Sequence, residues 1–129
     1  MLGLIGGGYW GKNLVRTFNE LNVLKTVCEI NDDLISKYHK EYPKLEITKS
    51  YDEMLADESI TMICVSLPAQ MHYEFGLKAL QAGKHLYVEK PITLNVKEAE
   101  ELDAYANKHN LICSIAFLIC LDYINLILF

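Results

Sequence analysis

The chain of 129 residues is poor in the features that mark several protein classes. Its four cysteines, Cys28, Cys64, Cys113 and Cys120, form no C-x-x-C pair and no Cys/His cluster with zinc spacing. Each lies in an apolar stretch, where a thiol behaves as a small buried hydrophobe. That pattern predicts reduced thiols, no metal and a cytoplasmic protein. Cations are scarce, with 12 Lys+Arg against 17 Asp+Glu and a formal charge of -5. Without a basic run to displace counterions from phosphates, nucleic-acid binding is not expected. No repeat, low-complexity tract or Pro/Gly-rich linker divides the sequence, so its length reads as one domain. The N-terminus has no basic segment followed by a cleavage-site pattern, which argues against a secretory signal.

Long apolar runs are also missing until the end. From Leu111 to Phe129 only Asp122 is ionised, close to the ~20 residues that a membrane span needs. A central Asp is costly in a bilayer, and the first half reads better as a buried strand, so no membrane partner is expected. What is present is an ordinary folded composition, 51% hydrophobic and 22% charged. A domain of this size buries roughly two thirds of its unfolded surface.

Short apolar runs of strand length alternate with segments of helical spacing. The runs are Met1–Ile5, Val23–Cys28, Leu45–Thr48, Ile60–Leu67, His85–Val88 and Leu111–Leu118. Between them, Trp10, Leu14, Val15, Phe18 and Leu21 share one helical face, as do Tyr73, Leu77 and Leu80. Asn31 can cap a helix running through Lys40, Ser50 and Glu53 have capping-box spacing, and Asn95 opens a last helix ending near Lys108. Gly83 and Asn110 serve as stops. Strands separated by helices imply right-handed crossovers, hence a doubly wound α/β fold with a mostly parallel six-stranded sheet.

The strongest chemical signal is Gly6-Gly7-Gly8-Tyr9-Trp10-Gly11, a G-x-G-x-x-G between the first strand and the first helix. Gly6 would permit the tight turn, Gly8 the approach of a pyrophosphate, and Gly11 close packing of helix on strand. The helix N-terminus then offers free N–H groups to the phosphates. Glu29 closes the second strand, where a carboxylate accepts ribose hydroxyls and repels a 2′-phosphate. No Arg or Lys follows closely, so NAD is expected over NADP. The alternative is a solvated Glu29, with Asp32 or Asp33 as the ribose contact. A methyltransferase competes for such a loop, but it needs no third glycine and binds no pyrophosphate. The expectation is therefore a Rossmann domain that binds NAD.

Glu89-Lys90-Pro91 closes the fifth strand, on the edge where open parallel sheets bind ligands. Lys90 could hold a substrate hydroxyl or relay a proton, with partial burial and Glu89 as its partner, and Pro91 would fix the exit angle. The alternative is a solvated turn. Ser66, Pro68 and His72 follow the fourth strand on the same edge, where the loop could cover a cofactor. A lone histidine in the place of His72 more often caps or packs than catalyses. Tyr9 and Trp10 could cover the cofactor too, though Trp10 suits the core equally.

Together these residues resemble the Gfo/Idh/MocA oxidoreductases. The resemblance runs from Leu2 to about Cys113. It rests on Gly6 to Arg16, Tyr51-Asp52-Glu53-Met54-Leu55, Pro68 with His72, and Ala79 to His85 leading into Glu89-Lys90-Pro91. The opening is most similar to the branch that oxidises the 3-hydroxyl of UDP-N-acetylglucosamine-derived sugars. The resemblance implies NAD(H), hydride transfer at a sugar carbinol, Lys90 as the active-site lysine and Gly6, Gly8, Tyr9, Trp10, Gly11, Glu29, Ser66, Pro68, His72 and Glu89 around the cofactor. Such proteins continue into a second domain that builds the sugar pocket. Here residues 1–118 are expected to form the dinucleotide-binding domain and 119–129 an atypical apolar tail, as after a change of reading frame. The chain is thus expected to be an incomplete catalyst, acting on a sugar or nucleotide-sugar only if a second domain is supplied. The alternatives are a non-catalytic dinucleotide-binding or protein-interaction module and a degenerate fragment.

Overall fold

A computed structural model describes residues 1–116. The expected tail, Cys120 and the end of the run Leu111–Leu118 lie outside the described residues. Six strands alternate with five α-helices: β1 (Leu2–Ile5), α1 (Gly11–Glu20), β2 (Leu24–Cys28), α2 (Asp32–Glu41), β3 (Glu46–Thr48), α3 (Tyr51–Ala56), β4 (Met62–Val65), α4 (His72–Gln81), β5 (His85–Glu89), α5 (Val96–Lys108) and β6 (Cys113–Ala116). A single 3-10 turn, Ala69–Met71, precedes α4.

The sheet order is β3-β2-β1-β4-β5-β6, and every pair is parallel. This is the Rossmann arrangement, in which the chain leaves β1 in one direction along the sheet and returns to β4 on its other side. The strand order reverses there: β1 and β4 stay paired to their ends, Ile5 beside Val65, while the connections that leave them run to opposite sides and leave a crevice above the strand ends.

The central strands β1 and β4 are apolar throughout because both of their faces are covered, whereas the edge strand β3 is Glu-Ile-Thr and has no buried residue. On one face Leu2, Leu4, Val27 and Cys64 pack with Val15 of α1 and Tyr38 of α2. On the other, Ile5, Ile63, Val65, Leu86 and Val88 pack with Met54 of α3, Leu80 of α4 and Leu102 of α5. Cys28 and Cys64 are buried free thiols. Burial, helped by the nearby Glu29 charge, pushes the Cys28 thiol up to about 11, and burial also raises Cys64.

Three local expectations need correction. Trp10 and Leu21 do not complete the buried stripe of α1; they flank the helix as its caps and are exposed, while Val15 carries the burial. Ser50 caps α3 by accepting from the Glu53 N–H at 3.2 Å, but the reciprocal half of a capping box is absent. The Glu53 carboxylate instead accepts from Thr48 Oγ1, which itself accepts from the Ser50 N–H. The last strand is also shorter at its start, beginning at Cys113.

Candidate functional site

The glycine loop bridges β1 and α1 at the crevice. Gly6 has φ +91°, and a Cβ there would lie 2.4 Å from the Ser66 carbonyl oxygen, so turn and contact both demand glycine. A Cβ on Gly11 would lie 1.9 Å from the Gly6 carbonyl oxygen; this glycine lets the helix start against the strand. A Cβ on Gly8 would meet nothing within 4 Å. The space above Gly8 is open, as the approach of a ligand to the backbone requires. Among the described residues, the N–H groups of Gly8, Tyr9 and Trp10 have no protein acceptor, which leaves donors at the positive end of α1.

Neighbours that the motif does not reveal hold the loop in place. The Tyr38 hydroxyl, from α2, donates to the Gly7 carbonyl, and the Tyr38 ring fills the space beside Gly7. Burial, with Glu29 nearby, pushes that hydroxyl up to about 12. From the other side Glu29 Oε2 accepts the Gly7 N–H at 2.9 Å. Glu29 Oε1 accepts from the N–H groups of Ile30 and Asn31 at 2.9 and 3.0 Å. Glu29 thus stands at the end of β2 as expected, but its buried carboxylate already ties the glycine loop to the start of α2. Asn31 caps that helix by accepting from Asp33 and Leu34.

Across the crevice, β4 leads through Ser66, Leu67 and Pro68 to His72. That histidine is 1% exposed, with Nδ1 2.7 Å from the Pro91 carbonyl oxygen and Nε2 2.7 Å from the Leu67 carbonyl oxygen. Carbonyls only accept, so a neutral ring donates to one of them and a ring with both nitrogens protonated donates to both. His72 clasps the loop after β4 to the loop after β5, behind the crevice wall.

Glu89 is also buried, but it does not pair with the Lys90 ammonium as expected. Its Oε1 accepts from Trp10 Nε1 at 2.7 Å and its Oε2 accepts from the Lys90 backbone N–H at 3.3 Å. Trp10 is therefore a wall of the crevice rather than core. Lys90 is exposed, not partly buried, and its peptide bond to Pro91 is cis.

Three cavities run together along this edge. One of about 220 Å³ lies between β2 and α4, with Glu29, Ile30, Lys49, Met71 and Phe75 among its lining residues. The next, about 490 Å³, sits over Gly6 and Gly8, between Glu29 and Pro68. The third, about 390 Å³ and open to solvent, is lined by Tyr9, Trp10, Ser66, Leu67, Glu89 and Lys90. Shared walls, Gly6 and Glu29 at one junction and Tyr9 and Trp10 at the other, make them one groove. The groove gathers Gly6, Gly8, Tyr9, Trp10, Glu29, Ser66, Pro68, Glu89 and Lys90. Gly11 and His72 lie behind it. Leu67, Met71, Ile30, Lys49 and Phe75 also line it; adjacency to Pro68, His72 and Glu29 could have suggested the first three, but Lys49 and Phe75 arrive only through the fold.

A family model described as an oxidoreductase family with an NAD-binding Rossmann fold, GFO_IDH_MocA, matches residues 1–117. An uncharacterized oxidoreductase of Schizosaccharomyces pombe is 42% identical over 80 residues, 62% of this chain and 22% of its own length. The scyllo-inositol 2-dehydrogenase (NADP(+)) of Bacillus subtilis is 27% identical over 113 residues, covering 88% of this chain and 30% of that protein. The structure of a UDP-N-acetylglucosamine 3-dehydrogenase from Acidithiobacillus ferrooxidans superposes with a TM-score of 0.80 at 27% identity, over 88% of this chain and 37% of that one. The chain thus spans between about a fifth and two fifths of these relatives. No helix among the described residues is long and apolar enough to cross a membrane.

Proposed function

The chain belongs to the Gfo/Idh/MocA family of oxidoreductases, and on that premise we propose that residues 1–118 form the NAD(H)-binding domain of a dehydrogenase acting on a sugar or nucleotide-sugar hydroxyl. The observation that carries this reading is the open space over Gly8, bordered by backbone N–H groups without protein acceptors and continuous with cavities on both sides. A pyrophosphate fits that centre, an adenosine the cavity beside Glu29 and Ile30, and a nicotinamide the cavity beside Tyr9, Trp10, Ser66 and Glu89. When bound, the cofactor supplies the hydride acceptor or donor.

The protein's own groups then bind and orient. Gly6 and Gly11 fix the path of the loop, and Glu29 holds Gly7 so that the loop N–H groups face the groove. Glu89, anchored by Trp10, braces the nicotinamide end. Pro68 and Ser66 shape the wall opposite the glycines, and His72 keeps that wall joined to Lys90-Pro91. Lys90, exposed at the mouth of the third cavity, is placed to donate to a substrate hydroxyl oxygen or to take its proton during oxidation. The sugar class is supported by two relatives named as dehydrogenases of a nucleotide-sugar and of an inositol. The acidic balance and the buried free thiols support a cytoplasmic protein without nucleic-acid partners.

Calorimetric titration of the chain with NAD tests the binding claim. A saturable heat is expected, abolished in Gly8→Val; a folded sample giving no heat at millimolar NAD overturns it. The chain spans only about a third of such relatives, so little NADH is expected from it alone with UDP-N-acetylglucosamine. NADH formation once a sugar-binding second domain is supplied, lost in Lys90→Ala, tests the catalytic part. NAD binding with no turnover of any nucleotide-sugar even then would instead favour a dinucleotide-binding module.

A further inference from the structure

The adenosine end of the groove holds a charge arrangement that the functional reading leaves unused. β2 and β3 pair with Cys28 opposite Thr48, and the Glu29 N–H donates to the Thr48 carbonyl at 3.0 Å. The next residues, Glu29 and Lys49, therefore leave the sheet side by side, and both line the same cavity. Lys49 Nζ lies 2.5 Å from Asp32 Oδ1, in the first turn of α2. The two side chains are 58% and 81% exposed, so the pair is solvated and contributes little by itself. A phosphate monoester, doubly charged and able to accept several charge-assisted hydrogen bonds, is also a partner for the ammonium, but to reach it the phosphate must displace Asp32 and come up against the carboxylates of Asp32, Asp33 and Glu29.

Glu29 has little room to respond to the cofactor. Its carboxylate accepts from Gly7, Ile30 and Asn31, and turning it away would release the glycine loop. The adjustable charges at this end are Asp32, its neighbour Asp33, and Lys49.

We propose that Lys49 is a receptor for the 2′-phosphate of NADP masked by its ion pair with Asp32, and that this pair sets a preference for NAD over NADP. The proposal rests on the reading that the groove binds a dinucleotide. Paired, Lys49 is neutralised and the acids beside it repel a 2′-phosphate. Released, its ammonium stands one strand from Glu29, on the wall where the adenosine ribose would lie. A lysine from the next strand, rather than a cation following Glu29 in sequence, then governs the choice.

The test is calorimetric titration of the 129-residue chain with NAD and with NADP, for the wild type, Asp32→Asn, Lys49→Met and the double variant. Both side chains are exposed, and Asn31 keeps its cap on α2, so the variants retain the fold. The wild type is expected to prefer NAD. Asp32→Asn should raise affinity for NADP relative to NAD roughly tenfold, with a gain that shrinks in salt. The double variant should lose most of that gain, and Lys49→Met alone should change little. An equal gain in the double variant overturns the proposal, because Asp32 then acts by repulsion alone. A wild type that already prefers NADP, or no shift in Asp32→Asn, overturns it as well while leaving the dinucleotide reading intact. A wild type that binds neither nucleotide overturns both.

Discussion

A methyl group added at Gly8 meets no atom within 4 Å, whereas one added at Gly11 would sit 1.9 Å from the Gly6 carbonyl oxygen. The two glycines belong to one motif but fail differently. Gly8→Val should keep the melting temperature of the wild type and lose NAD binding. Gly11→Ala should destabilise the fold by about 3 kcal/mol in urea unfolding, since the obstructing atom is backbone and can yield little. His72→Ala leaves the Leu67 and Pro91 carbonyls without their buried partner, a loss of about 2 kcal/mol or more by the same measurement. The glycines were legible because their spacing encodes a backbone path. Tyr38 was not, because the hydroxyl that holds Gly7 comes from a helix 31 positions later and nothing in its local sequence announces it.

At the level of elements, caps and periods carried the reading. Asn31, Ser50 and Asn95 each accept from backbone N–H groups at the start of a helix, where short polar side chains before an apolar pattern predicted them. The error at α1 has a simple cause. Trp10 and Leu21 continue the apolar spacing on paper, but they are the N-cap and C-cap and lie outside the helical turns that face the core. Freed from the core, the Trp10 indole bonds to Glu89, joining the start of α1 to the end of β5 across 79 positions. Trp10→Phe would preserve most of the apolar area while leaving Glu89 Oε1 without that donor. The expected cost is about 2 kcal/mol of stability, read by chemical denaturation, together with weaker NAD binding by calorimetry.

For the whole molecule, the alternation of strands and helices was enough to specify a doubly wound sheet, and the glycine motif placed the ligand edge. The groove itself was less legible, since its walls depend on which strand ends become neighbours. Lys49 reaches Glu29 only because β3 pairs with β2, and Phe75 reaches the same cavity only because α4 returns across the sheet. A comparable long-range tie lies on the opposite edge, where Lys25 of β2 bonds to Asp57 after α3 at 2.5 Å. Hydrogen bonds from Lys25 and then Ser59 hold the Asp57 carboxyl well below the usual carboxylate range. A carboxylate lowered in the folded state adds stability above its unfolded pKa of about 3.9 and loses it as pH falls toward the folded value. Asp57→Asn should therefore be less stable than the wild type at neutral pH and show a flatter decline between about pH 4 and 2 in urea midpoints.

The chain has one tryptophan, and that tryptophan is the residue bonded to Glu89 in the wall of the third cavity. Light absorbed by indole is therefore absorbed at the mouth of the groove and nowhere else in the sequence. A reduced nicotinamide lodged beside it would sit close enough to take up the excitation and quench the emission. The emission colour would likewise register solvent reaching that wall. The side chain that braces the groove is also its built-in optical gauge.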